Sequence, residues 1–213
     1  VDFNSEFLSS KNAAAEKNAV DAVVYTLTEF PTVNKVQILI GGKAIKKCPH
    51  GTEIKDVLYR EKINMEPTGK DASGNAIPTT LFFRSMSGGG YFLPVTRMVE
   101  PSQDPIKTTL EELIKGPAEN MGLMPILPAQ TRVLGVTSRG NEVMVDFSKD
   151  IEYYGGGMEL EHALINSVVL TVSEFDSVDK VSILVEGESV VLPEGTSLDV
   201  PILKPIYINQ GNI

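Results

Sequence analysis

The sequence predicts an α+β protein made of two copies of one small domain, with helices on one face of a mixed β-sheet in the order β-β-α-β-β-α-β. Three observations predict it. First, VVYTLTEF at 23–30 returns as VVLTVSEF at 168–175, and VNKVQILI at 33–40 returns as VDKVSILV at 178–185. Second, the match extends outward at the same spacing: Asp2-Phe3 recurs as Asp146-Phe147, and PHGT at 49–52 recurs as PEGT at 193–196. An offset of 144 or 145 residues far exceeds a solenoid period of roughly 20–50 residues and points to duplicated domains. Third, the second copy alternates short β-rich runs with helical patterns, the signature of a layered α+β unit.

The elements of the second copy follow in order. Residues 80–84 and 91–99 read as two strands joined through the glycine-rich stretch at 87–90. Pro94 cannot donate to a ladder, so it marks an edge strand or a bulge. Asp104-Pro105 opens a helix: Asp104 is a favoured N-cap, and Pro105 lacks only an N–H that would be unpaired there. Ile106, Leu110, Leu113 and Ile114 follow at helical spacing, and Gly116-Pro117 closes the run. Residues 118–130 form an irregular link. Strands at 131–138 and 142–147 are joined by a turn in which Gly140 takes positive φ. Residues 159–175 are Val-rich, but Leu160, Leu164, Ser167, Val168, Thr171, Val172 and Phe175 share one helical face, so they read as a helix. A strand at 178–185 and a short strand with a Pro-rich end complete the copy.

The first copy begins at its second half. The roughly sixty residues of 80–142 have no counterpart before Val1, so the chain is expected to open inside its first domain. The expected organisation is a half domain over 1–64, a polar linker over 65–79 and a complete domain over 80–213.

Composition excludes several function classes. The net charge is −9 with a pI near 4.8, which opposes approach to nucleic acid or unaided docking on anionic lipid. No run approaches the ~18 apolar residues of a membrane helix. Cys48 is the single cysteine, so no internal disulfide forms; its counterpart in the second copy is Leu192, which reads as a small apolar position.

The recurring charged residues are structural candidates. Asp2 and Asp146 are expected to end a strand and cap backbone N–H groups in the turn beyond it. Glu29 and Glu174, each six residues before Lys35 and Lys180, suit an ion pair across the helix-to-strand turn. Enzyme chemistry finds little support. Neither His50 nor His162 recurs between the copies, and a duplicated active site would keep its general base. The acidic run of Asp146, Asp150, Glu152, Glu159 and Glu161 lacks calcium-loop spacing. The glycine triplets at 88–90 and 155–157 lack the spacing of a phosphate-binding loop. No catalytic residue, cofactor or metal is expected.

The 168–185 segment, FLPVTR at 92–97, LEELIKGP at 110–117 and VMVDFS at 143–148 together resemble the GerMN domain family. Its pattern is a helix ending in Lys-Gly-Pro, a strand ending in Asp-Phe, then a helix followed by a Lys-Val strand. The resemblance covers 80–187 and, in shortened form, 1–42. It implies a sporulation and germination lipoprotein held outside the cytoplasmic membrane, with a fold similar to ring-building motifs. The implied role is non-enzymatic assembly of a channel complex between mother cell and forespore. Partners would be other subunits of that membrane complex or a second copy, with no nucleic acid. Membrane attachment would run only through an upstream lipid anchor. A cell-wall glycan- or peptide-binding module, or a wall hydrolase, is the alternative.

One surface is singled out for contact. The helical stripe Ile165, Val169 and Val172 is expected to pack on the helix at 105–115. The first copy repeats the stripe as Val20, Val24 and Leu27 without that neighbour. Those three side chains are therefore expected to be covered by a second chain or by the 80–187 domain.

Overall fold

The computed structural model describes residues 1–28, 30, 32–54, 56–60, 64–66, 75–86, 89–119, 121–206 and 208–209. The chain divides into two compact units, Val1–Glu61 and Lys62–Ile213.

In the second unit, β4 (Ile77–Ser85) pairs antiparallel with β5 (Phe92–Val99), and the two-residue β6 (Leu123–Met124) joins the other side of β4. Between β5 and β6 runs α2 (Pro105–Ile114), whose Asp104 side chain accepts the Lys107 N–H at 3.0 Å. Gly116 ends it at φ 80°, a conformation that a β-carbon would strain. A second, four-stranded sheet has the order β10-β9-β8-β7. In it β7 (Val133–Arg139) and β8 (Glu142–Phe147) form a hairpin that turns at Gly140-Asn141. β9 (Lys180–Val185) lies parallel to β8, and β10 (Ile202–Leu203) pairs antiparallel with β9. The connection from β8 to β9 is α3 (Met158–Val172).

The predicted α+β class and element order hold, with the short β6 added inside the stretch 118–130 that reads from the sequence as an irregular link. The strands divide between two sheets, because α3 lies between them. Ser167 Oγ donates to the Phe82 carbonyl at 2.6 Å, and Thr171 Oγ1 accepts the Phe82 N–H at 3.1 Å. The helix thus supplies hydrogen bonds to the middle of β4 where a further strand would otherwise be needed. Ten of the fifteen α3 residues are buried, which explains why its sequence shows no clean polar face. Phe82, Phe83, Leu110, Leu113, Phe147, Leu164 and Ile183 fill one core with it. Pro94 sits on β5, the outer strand of its sheet, as its missing donor requires.

In the first unit, β1 (Asp2–Phe3) leads through a single 3-10 turn to α1 (Ala13–Thr28). Asn12 caps α1 by accepting the Ala15 N–H at 2.8 Å. β2 (Leu39–Ile40) lies parallel to β1 and antiparallel to β3 (Lys43–Ala44).

The duplication is legible bond by bond. Val36 bridges Leu58 as Val181 pairs with Ile202, and Lys47 bridges Glu53 as Val191 bridges Ser197. Cys48 N–H donates to Thr52 and Ile54 N–H to Lys46, just as Leu192 N–H donates to Thr196 and Leu198 N–H to Val190. Both copies therefore share one backbone design to Leu58 and Ile202, past the recurring PHGT and PEGT segments.

The stripe expected to need cover from a second chain or from the 80–187 domain is covered within the first unit. Val20 and Val24 are 4% and 5% exposed, and they form the first unit's own core with Val36, Ile38, Cys48 and Ile54; Leu27 packs half-buried against it. The face of α1 that is open instead carries Ala15, Ala22 and Thr26. Its counterparts in α3 include Ser167 and Thr171, the residues that meet β4. The cover expected from a second chain or from the 80–187 domain comes instead from Val36 and Ile38, just before β2, and from Cys48 and Ile54, after β3.

Candidate functional site

The strand-end carboxylates that recur between the copies each accept a backbone N–H. Asp2 Oδ1 accepts the Gly42 N–H at 2.9 Å, and Asp146 Oδ1 accepts the Gly187 N–H at 2.8 Å. The capped turn follows the neighbouring parallel strand, about forty residues away, and is not the next turn along the chain. A carboxylate at a strand end thereby fixes the adjacent strand's exit.

A second pair of carboxylates does more. Glu16, one turn into α1, accepts the His50 N–H at 2.7 Å and the Thr52 N–H at 2.8 Å. Glu161, at the matching place in α3, accepts the Glu194 N–H at 2.8 Å and the Thr196 N–H at 3.0 Å. These are 2% and 0% exposed. Burial works to raise each carboxyl's pKa. The donors outweigh it, so both are held below the usual carboxylate value. In the second unit the Tyr154 hydroxyl also donates to Glu161. Burial and then that carboxylate push the Tyr154 phenol well above its ordinary value. The recurring PHGT and PEGT segments are the turns that these glutamates hold. The signal was present in the sequence, since Glu16 and Glu161 also stand 145 residues apart, but helical patterning gave no reason to place a charge inward.

The remaining acidic run disperses. Glu159 pairs with Arg84, and Asp150 accepts from Ser148 Oγ. Glu194 Oε1 accepts the Gly157 N–H at 2.7 Å, so the chain's own carboxylate occupies the start of α3 where an anion would sit. Among the described residues no group of three or more His, Cys, Asp or Glu is placed to hold a metal ion. Cys48 is buried, and its thiol pKa is raised by burial and then by the Glu16 charge, which leaves it a packing residue. His50 Nε2 lies 2.6 Å from the Ser10 carbonyl oxygen, and His162 is on the exposed side of α3. Glu174 lies in the turn after α3 and Lys180 opens β9. Lys35 precedes the Val36 bridge, and Glu29 lies outside the described residues.

An additional charge network was not foreseen. Arg97 on β5 is bidentate to Glu66, at 2.5 and 2.7 Å, and reaches the Glu112 carboxylate and the Glu112 and Gly116 carbonyls at 2.6–3.0 Å. Burial works to lower the Arg97 pKa, and the two carboxylates more than offset it. Met65 bridges Thr96, and Asn64 Nδ2 donates to the Pro94 carbonyl. Met65 and Glu66, read from the sequence as the start of the linker, are bound along β5.

Each unit has a cleft beside its long helix, and the two linings share two corresponding helix positions. In the first, a cleft of about 460 Å³ is lined by Val20, Val24, Tyr25, His50, Leu58 and Tyr59 among others. In the second, a cleft of about 340 Å³ involves Asn166 and Leu170, the counterparts of Asp21 and Tyr25, together with Tyr91, Pro205, Ile208 and Asn209. Asn209 holds that tail in place by accepting from and donating to the Phe92 backbone at 2.7 and 2.9 Å.

The comparisons with known proteins agree with this architecture. The spore germination protein GerM of Bacillus subtilis (strain 168) is 31% identical, with all of this chain aligned to 60% of that protein. The chain thus spans about three-fifths of that relative's length. The tandem GerMN domains of the B. subtilis sporulation protein GerM match with a TM-score of 0.79 at 31% identity, covering 98% of this chain and 74% of that one. The first GerMN domain of the same protein matches with a TM-score of 0.50 at 27% identity, covering 60% and 95% respectively. The family model described as "Germane: Sporulation and spore germination" matches residues 1–46 and 80–191, the two stretches in which the duplicated frame was found. The chain belongs to this Germane family of sporulation and spore germination proteins.

Proposed function

We propose that this chain is a non-enzymatic assembly component of a sporulation membrane complex. It is held outside the cytoplasmic membrane through an upstream lipid anchor and supports the channel between mother cell and forespore. The observation that carries the reading is the fate of the duplicated polar groups. Asp2 and Asp146 each accept one backbone N–H, and the buried Glu16 and Glu161 each accept two. An enzyme needs a group poised toward a cleft with its proton chemistry unspent. What two copies have kept in common here is shape, and shape serves association.

The test is capture of the full-length, membrane-tethered protein from sporulating cells after crosslinking. Enrichment of integral subunits of a sporulation complex, with no release of soluble fragments from purified wall, is the expected result. Wall hydrolysis by the purified chain, without any captured membrane subunit, would overturn the reading.

A further inference from the structure

The outer edge of β5 is closed by other parts of the second unit, residue by residue. β4 pairs with β5 on one side, and the backbone groups of Phe92, Pro94 and Thr96 face out on the other. The Phe92 N–H and carbonyl are taken by the Asn209 side-chain amide at 2.7 and 2.9 Å. Pro94 has no N–H, and its carbonyl accepts Asn64 Nδ2 at 2.8 Å. Thr96 donates its N–H to the Asn64 carbonyl at 3.2 Å and accepts the Glu66 N–H at 2.9 Å. Met65 thus bridges Thr96 in the parallel sense, and Asn64-Met65-Glu66 stands where an added strand would stand.

The same edge holds a built carboxylate site. Arg97 Nε and Nη2 donate to the two Glu66 carboxylate oxygens at 2.5 and 2.7 Å, and the Ala118 N–H adds a third bond at 3.0 Å. The guanidinium is aimed without help from Glu66, because it also donates to the Glu112 and Gly116 carbonyls at the end of α2. Arg97 and Lys115 both face the single carboxylate of Glu112. Without Glu66 the site would hold one cation in excess, on a side chain only 14% exposed, which suits an anion gripped in fork geometry.

The segment that fills the site is lightly attached otherwise. Among the described residues it makes one bridge to β5, and Met65 is 46% exposed. Asn64 sits at φ 50°, a left-handed conformation that residues with side chains adopt at a cost. Its hold therefore depends on the Thr96 pairing and the Glu66 carboxylate. Those are the two components by which a sheet edge recognises an extended peptide, main-chain bonds for affinity and side-chain sites for selectivity.

We propose that the outer edge of β5 is a strand-addition site for an extended, acid-bearing segment of a partner protein, which Asn64-Met65-Glu66 occupies in this structure as a built-in competitor. The partner segment runs parallel to β5, pairs with Thr96 and places a Glu or Asp carboxylate on Arg97 and the Ala118 N–H. The chain's own segment, being covalently attached, competes at an effective concentration on the order of millimolar. The edge therefore opens only to a segment that brings more pairing than the resident one. Taking the partner to be a protein rests on the assembly reading above.

The experiment uses the whole chain, wild type and Glu66→Pro. Proline removes both the N–H that Thr96 accepts and the carboxylate, and leaves β5 and α2 unaltered; a single cooperative urea transition certifies the variant's fold. The probe is a blocked peptide of the resident sequence INMEP, titrated to about 5 mM while NMR follows the Thr96 and Ala118 amides. Glu66→Pro should bind it with a Kd of about 1 mM or tighter, at least tenfold more tightly than wild type. The same peptide with Gln in place of Glu should bind Glu66→Pro at least tenfold more weakly. Absence of binding to Glu66→Pro overturns the proposal, as does equal binding to both chains or equal binding of the Gln peptide. Amide exchange in wild type provides a second measurement that needs no variant. The Thr96 N–H should be at least tenfold less protected than the Phe82 N–H, because the resident segment lifts off without unfolding the sheet. Equal protection would mean that the segment leaves only with the whole fold, and overturns the proposal too. Capture of sporulation-complex subunits by a chain whose opened edge ignores the peptide overturns the strand-addition site and leaves the assembly reading standing.

Discussion

Glu161→Gln tests whether a buried carboxylate holds the second unit's turn. The substitution keeps the side chain's volume and exchanges one acceptor oxygen for an NH₂ donor. In the better orientation the amide oxygen takes the Oε2 place, keeping the Glu194 N–H and the Tyr154 hydroxyl. The NH₂ then opposes the Thr196 N–H, which Oε1 accepts at 3.0 Å in the wild type. One hydrogen bond to a charged group is lost, worth ~1.5–3 kcal/mol, and the two that survive weaken to neutral strength. The expected cost is about 3 kcal/mol, a large share of a domain stability of about 5–15 kcal/mol. Urea unfolding reads the total, and amide exchange at Glu194 and Thr196 localises it. The pH dependence carries a sign. Burial works to raise the Glu161 carboxyl, and the donors of Thr196, Tyr154 and Glu194 lower it by more, so it is held below 4.5. Its contribution is therefore complete above the unfolded-state value and lost as pH falls through the folded one. The gap between wild type and variant should be full at pH 7 and narrow below about pH 4.5. A gap under ~0.5 kcal/mol at pH 7, or one that widens in acid, would refute the reasoning.

Other expectations follow from the same geometry. Arg97→Met leaves Glu66 and Glu112 without their common partner, so the second unit should lose about 3–5 kcal/mol and roughly 10 °C in Tm by calorimetry; an unchanged Tm would mean the network is not a tie. Thr171→Val orphans the buried Phe82 N–H and should cost about 2 kcal/mol in urea unfolding, against about 1 kcal/mol for Ser167→Ala; equal or negligible losses would remove α3 as the partner of β4. The Cys48 thiol should react with a thiol reagent at pH 8 at least about tenfold more slowly in the native chain than in urea; equal rates would show it exposed.

Particular residues show how far the sequence could be read. Asp104, Pro105 and Gly116 bounded α2 because capping is local: donor and acceptor lie within three residues. The helix in the Val-rich stretch followed from spacing alone, since seven side chains on one face outweigh β-propensity. The turn-holding role of Glu16 and Glu161 is not legible in the sequence because their backbone donors lie 33–36 residues away. A local pattern treats a glutamate in a first helical turn as a solvated charge favoured by the dipole. Val20 and Val24 were recognised as a buried stripe but given the wrong neighbour, since an apolar face specifies burial and not its partner. The Arg97 network was invisible for the same reason: its carboxylates come from the segment before β4 and from α2.

The sequence by itself determined the duplication, the main order of elements and the lack of a histidine shared by both copies, because each is a matter of residue identity and short spacing. The tertiary structure alone decided that the strands form two sheets with α3 between them. It also decided which carboxylates turn inward. Those outcomes depend on which distant backbone donors come within hydrogen-bonding distance, and chain folding, not local preference, sets that distance.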